Sequence, residues 1–86
     1  MPEISRFYGI IIQMLFDDHN PPHFHAIYGG HKAVISIEQA LLLKGDLPPR
    51  ALRMVMDWTE IHRHELMDDW TLAKANKETF HITPLE

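Results

Sequence analysis

The chain has 86 residues, of which 45% are hydrophobic and 23% charged, and this length and composition predict one globular domain over residues 1–86. The formal net charge of −4 argues against direct nucleic-acid binding, which needs clustered Lys and Arg. The absence of cysteine excludes disulfides and thiolate metal sites. No apolar run reaches the ~20 residues that cross a bilayer, and the N-terminal residues lack the pattern of a secretion signal, so we expect a cytoplasmic protein without membrane association.

The first half of the chain predicts an antiparallel sheet. Ile4–Phe16 is rich in β-branched and aromatic residues, and its apolar side chains occupy both odd and even positions. This predicts a strand covered at least partly on both faces. After a Pro-containing turn, His23–Tyr28 is the second predicted strand, and Gly29–Gly30 favours a tight hairpin. The alternating segment His31–Glu38 is the third, and the Leu-rich segment Ala40–Lys44 is the fourth.

The second half changes to helical spacing. Asp46 is a candidate helix cap, and apolar residues recur with helical period over Pro49–His62. A second helical stretch covers roughly Glu65–Ala75, and it either continues the first helix with a bend or forms a separate one. Thr79–Thr83 is predicted as a final strand. The order β-β-β-β-α-(α)-β predicts an α+β fold, in which one face of an antiparallel sheet of about four to five strands carries one or two helices.

The segment "DHNPPHFHA" holds the strongest candidate site. Strand alternation places His23 and His25 on one face, where their imidazoles could bind one metal ion. A catalytic zinc ion commonly has three protein ligands and one open position. His62 is the candidate third ligand, because it follows Trp58 by four residues and precedes Leu66 by four, which places it on the inward helix face.

Other residues extend this site. Asp18 or His19 is a candidate additional ligand, or a group that orients an imidazole. His23 or His25 is also a candidate general acid or base, with Arg63 as a candidate phosphate stabiliser. Three interpretations of the histidines remain open at this point: purely structural roles, a bound divalent metal such as zinc, and metal-free acid–base or ligand binding.

Four segments resemble a family of small bacterial proteins, the domain of unknown function 4160. They are "PEISRFYGIIIQMLFDDHNPPHFHAIYGG", "GDLPPRAL", "DWTEIHRHELMDDW" and the closing "ITPL", and together they cover nearly the whole chain. The matching hallmark residues are Asp18, His19, Asn20, Pro21, Pro22, His23, Phe24, His25, Trp58, His62, Arg63, Glu65, Leu66 and Trp70. His64 departs from the pattern, which usually has an acidic residue there.

This resemblance implies a free-standing single domain without an established activity. Members are often encoded beside another small protein, and such pairs have been suggested to be toxin–antitoxin modules; some members are named transcriptional regulators. The resemblance therefore implies a protein partner encoded by a neighbouring gene.

We consider three functions. The first is a small cytosolic binding or regulatory protein with a histidine-rich site, as one component of a toxin–antitoxin-like pair. The alternative is a metal-dependent hydrolase or small ribonuclease that uses the histidines. Direct DNA binding ranks last, because the helices mix acidic and basic residues. Apolar residues on both faces of the first strand also predict a homodimer that covers one face of the sheet.

Overall fold

Five strands in the first half of the chain form one antiparallel sheet, in a computed structural model that describes residues 3–86. The strands are β1 (Glu3–Phe7), β2 (Ile10–Gln13), β3 (His23–Tyr28), β4 (His31–Ser36) and β5 (Leu42–Gly45), and they neighbour one another in chain order. Two helices follow them, which confirms the predicted α+β class. Residues 1 and 2 of the predicted domain lie outside the described residues.

The prediction of one long strand over Ile4–Phe16 was wrong. A two-residue turn at Tyr8 and Gly9 divides this segment into β1 and β2, which pair antiparallel. Both turn residues have positive φ, 50° and 82°, as a type I′ turn, one of the two favoured two-residue hairpin turns, requires. The apolar residues at odd and even positions of this segment are therefore divided between two strands.

The predicted hairpin around Gly29 and Gly30 is confirmed. It joins β3 to β4, whose register places Phe24 opposite Ile35 and His25 opposite Val34. Side chains of directly opposed residues lie on the same face of a sheet. The register therefore separates a face that carries Phe24 and Ile35 from a face that carries His25 and Val34.

The helical half of the chain forms two separate helices, α1 (Pro49–Ile61) and α2 (Arg63–Lys74). The sequence allowed either this arrangement or one bent helix. His62, with φ −111° and ψ 24°, lies between them. Asp46 does not cap α1, since Pro48 occupies the N-cap position and makes no side-chain capping bond. Within residues 3–86, neither helix has the length and apolar character needed to traverse a bilayer.

The first helix, α1, packs against one face of the sheet. The ring centroid of the fully buried Trp58 in α1 lies 5.8 Å from that of Phe24 in β3 and 5.3 Å from that of Phe7 in β1. Strand alternation directs His23 and His25 to the opposite face of β3. The hydrophobic core consists of Ile4, Phe7, Ile10, Ile12, Met14, Phe24, Ala26, Ala33, Ile35, Ile37, Leu47, Ala51, Val55, Trp58, Leu66, Trp70, Ala73 and Ile82.

The predicted last strand, Thr79–Thr83, was also wrong: within the described chain, Leu42–Gly45 is the last strand. The C-terminal segment makes single hydrogen bonds to different elements instead of a ladder. The backbone N–H of Ile82 donates to the Ile4 carbonyl at 2.7 Å, and that of Phe80 donates to the Asp69 carboxylate at 2.9 Å. The C-terminal segment is therefore held to the fold by single hydrogen bonds and does not pair as a strand.

Replacing Gly45 with Ala is expected to destabilise the end of β5. Gly45 has φ +77°, and an added Cβ would lie 2.0 Å from the backbone carbonyl oxygen of Lys32. Because a backbone atom in a sheet has little freedom to move, we expect a loss of at least ~2 kcal/mol in the free energy of unfolding, measured by urea denaturation. Gly30→Ala is the matched control, since its Cβ would meet open space. Equal losses of unfolding free energy in the two variants would contradict the role given to the close contact between Gly45 and the Lys32 carbonyl.

Candidate metal centre

The loop before β3 is attached to the C-terminal end of α2. The backbone N–H of Asp17 donates to the Ala73 carbonyl at 2.9 Å, and the Lys74 ammonium donates to the Asp18 carbonyl at 2.6 Å. Asp17 adopts a positive φ of 50°, a conformation that Asp tolerates better than most residues. These contacts between distant parts of the chain set the position of Asp18 relative to the sheet.

His23, the first residue of β3, is held on both sides of its ring. Its Nδ1 lies 2.7 Å from the Pro21 carbonyl oxygen, and its Nε2 lies 2.9 Å from Oδ2 of Asp18. The ring packs against Trp70 with centroids 5.2 Å apart, and 7% of the side chain is exposed. When Nδ1–H donates to the carbonyl, Nε2 is left to face Asp18, the arrangement common to metal-binding histidines.

His25 lies two residues further along the same face. Its Nε2 is 3.8 Å from Oδ2 of Asp18. This nitrogen is buried and has no hydrogen-bond partner among the described residues. Burial lowers the pKa of His25 most, and the nearby His23 lowers it further, which together outweigh the opposite effect of the Asp18 carboxylate. The ring therefore favours its neutral form, the form that binds metals.

Asp18 presents its two carboxylate oxygens to different partners. Oδ1 accepts a 2.9 Å hydrogen bond from the His19 backbone N–H, whereas Oδ2 faces His23 and His25. Burial raises the pKa of Asp18, but hydrogen bonds from His19 and His23 and the charges of both histidines lower it by more, so it lies below its ordinary value. The site thus holds a carboxylate beside two imidazoles.

The ligand atoms of Asp18, His23 and His25 all lie within 4.8 Å of one another. Zinc binds such atoms at about 2.0–2.2 Å, which in a tetrahedral site separates two ligands by about 3.4 Å. The two distances from Oδ2 of Asp18 to the imidazole nitrogens, 2.9 and 3.8 Å, lie on either side of this value. Small side-chain rotations would therefore seat an ion between the three groups.

The structure does not bring His62 into this group. Its ring packs on Trp58 with centroids 5.6 Å apart, and its Nδ1 lies 2.5 Å from Oε1 of Glu65. The helical spacing placed His62 inward, but α1 covers the Phe24 face of the sheet, opposite the two strand histidines. The third group beside the two strand histidines is instead the carboxylate of Asp18, from the loop.

Arg63 and His19 occupy positions outside the cluster. The Arg63 guanidinium donates to the Ile37 carbonyl at 3.1 Å and to the Glu60 carboxylate at 2.6 Å, so these two groups, and not the histidines of the cluster, are its hydrogen-bond partners.

His19 lies at the edge of the cluster, with 87% of its side chain exposed and its ring centroid 5.7 Å from that of His23. It is placed to contact a ligand at the entrance, but it does not belong to the group of three.

The cluster lines an open depression of about 440 Å³, and several lining residues were missed from the sequence. They include Leu15, Val34, Leu43 and Lys44. Val34 lies opposite His25, and Lys44 lies opposite Val34 on the next strand. Alternation alone could place Val34 on one face of β4, but the register between strands was needed to bring these residues beside His25.

Comparison with known proteins agrees with the family resemblance. The model of the family described as Domain of unknown function (DUF4160) matches residues 9–71, which include the whole cluster, both helix tryptophans and His62. Searches of curated proteins and of solved structures found no match. The match extends over most of the chain, and we therefore assign the protein to the family Domain of unknown function (DUF4160).

Proposed function

We propose that this protein is a small metal-binding protein in which Asp18, His23 and His25 bind one divalent transition-metal ion. Two neutral imidazoles and one carboxylate form a ligand set that suits zinc, and also iron, nickel or copper. Zinc is the first candidate, because it accepts three protein ligands and leaves a position for water or another ligand.

The observation that carries this proposal is the Nε2 of His25, which has no hydrogen-bond partner within residues 3–86. A buried polar nitrogen without a hydrogen bond is costly, and this one points to the carboxylate oxygen that His23 also faces. Two acceptors face the two nitrogens of His23, so both bonds can form together only when that ring carries two protons. An ion between the three groups removes this requirement, because Nε2 then binds the metal and Nδ1–H keeps its bond to Pro21.

Metal analysis of protein purified without a metal-affinity tag tests the proposal. We expect about one equivalent of a transition metal, or binding of one equivalent of added Zn²⁺ that raises the melting temperature. Co²⁺ substitution should give the absorption spectrum of a four- or five-coordinate ion. Less than a tenth of an equivalent of metal, together with no stabilisation by Zn²⁺, would reject a metal centre.

A metal-dependent hydrolase or small ribonuclease is the second candidate function. The open depression beside the cluster supports it, because a substrate could reach a metal-bound water there. Cleavage of RNA that is lost in His23→Ala would support this candidate. Without cleavage by the metal-loaded protein, the binding role would stand alone.

The proposed biological role is that of a binding or regulatory component in a toxin–antitoxin-like pair. The family assignment supports this role through the resemblance described above, and the charge of −4 suits a partner with a basic surface. The homodimer predicted from the sequence, which covers one face of the sheet, stays a prediction. Co-purification with the neighbouring gene product, and the solution mass at micromolar concentration, test these two interactions separately.

A further inference from the structure

The depression at the cluster continues across the sheet into a second one. The second depression has a volume of about 230 Å³ and shares His25, Val34 and Lys44 with the first. These three residues form one row across β3, β4 and β5. We call the combined surface the trough; Asp18 lies at one end of it and Lys32 at the other.

The two ends of the trough differ in charge. In the described part of the chain, Asp18 is the one carboxylate that lines either depression, and it faces the two histidines. At the other end, Lys32 and Lys44 both line the second depression, and neither forms an ion pair within residues 3–86. Two lysines therefore share a depression with His25 and have no protein anion within residues 3–86 to neutralise them.

Apolar side chains line part of the first depression. Leu15 and Val34 are half-buried, and Leu43 is exposed. A volume of about 440 Å³ falls within the range of about 300–1,000 Å³ usual for small-molecule sites. The surface therefore combines a cationic region with apolar area large enough for a small organic group.

We propose that the trough binds a small organic phosphate monoester, with the phosphate between the metal ion and the ammonium groups of Lys32 and Lys44. This inference rests on the proposed metal centre. A phosphate dianion has three terminal oxygens, enough to contact the open position of the ion and both lysines at once. A carboxylate has two oxygens and one charge, so it satisfies fewer of these groups. The apolar side chains would contact the organic part.

Calorimetric titration of phenyl phosphate and of inorganic phosphate into Co²⁺-loaded protein tests this inference. In the double variant Lys32→Met and Lys44→Met, which keeps the length of both side chains, we expect at least ~10-fold weaker phosphate binding with unchanged Co²⁺ affinity. Phenyl phosphate should bind more tightly than inorganic phosphate, because its ring covers apolar surface. Lys77→Met removes one lysine charge outside the trough and should leave binding unchanged.

The two possible failures are distinguishable. If Co²⁺ binds and phosphate affinity is the same in the double variant as in the wild type, the phosphate site is wrong and the metal centre stands. The phosphate site is also wrong if the metal-loaded protein binds neither phosphate compound. If Co²⁺ itself does not bind, the proposed metal centre fails and the inference fails with it.

Discussion

Replacing Asp18 with Asn is expected to lower Zn²⁺ affinity by more than ~100-fold. The amide keeps the size of the side chain and an oxygen that accepts the His19 N–H bond, but it removes the negative charge that faces His23 and His25. Loss of a group that merely orients a ligand typically costs 10–100-fold in affinity, so loss of a direct ligand should exceed this range. Competition titration with a chromophoric chelator measures the effect.

Asp17→Asn is the matched control for this experiment. It makes the same chemical change at the neighbouring position, whose side chain is exposed and lies outside the group of three. Its affinity should stay within about twofold of the wild type, because Asn also tolerates the positive φ found there. Equal losses in the two variants would indicate an effect of total charge, and a loss below tenfold in Asp18→Asn would exclude a direct metal–carboxylate bond.

The second large effect concerns a group remote from the cluster, Asp69 in α2. Its side chain is fully buried; one oxygen accepts the Phe80 N–H bond, and the other has no partner among the described residues. Burial raises the pKa of Asp69 to about 6, the Phe80 hydrogen bond opposes this rise, and the neighbouring Asp68 and Glu65 add to it. The folded protein therefore binds this proton more tightly than the unfolded chain, where the ordinary value is 3.8.

The sign of the pH effect follows from this difference. Below pH 3.8 both states hold the proton, and Asp69 makes no contribution to pH dependence. As the pH rises from 3.8 to about 6, ionisation costs the folded state more than the unfolded state, and stability falls. At about 1.4 kcal/mol per pKa unit, the full penalty above pH 6 is about 3 kcal/mol.

Asp69→Asn should remove this penalty. An amide can still accept the Phe80 N–H bond, and it carries no charge at any pH. We expect the variant to gain stability relative to the wild type between pH 4.5 and 7.5, by up to about 3 kcal/mol, in urea denaturation at several pH values. Comparison of the two proteins at each pH cancels the other titrating groups. A stability difference that does not change with pH would show that Asp69 titrates normally.

Local patterns were sufficient for most of the individual elements. Alternation over His31–Glu38 and the glycine pair before it predicted a hairpin, because the side-chain period and the turn conformation depend on adjacent residues. Helical spacing likewise identified α1 and α2. The same reasoning missed the turn at Tyr8–Gly9, since an aromatic residue is an unusual choice for positive φ. It also predicted a strand over Thr79–Thr83, although that segment makes a single backbone hydrogen bond to β1, from Ile82 to Ile4, and no ladder.

The α+β class and the common face of His23 and His25 could be predicted from the order of the residues, because the side-chain period of strands and helices is a property of the backbone alone. Which face α1 covers, and with it the group that lies beside the two histidines, depended on packing between distant parts of the chain. α1 packs on Phe24, so His62 lies on the other side of the sheet from the histidine pair. Asp18 reaches the pair because the end of α2 holds its loop through Lys74, a contact between residues 56 positions apart that no local pattern encodes.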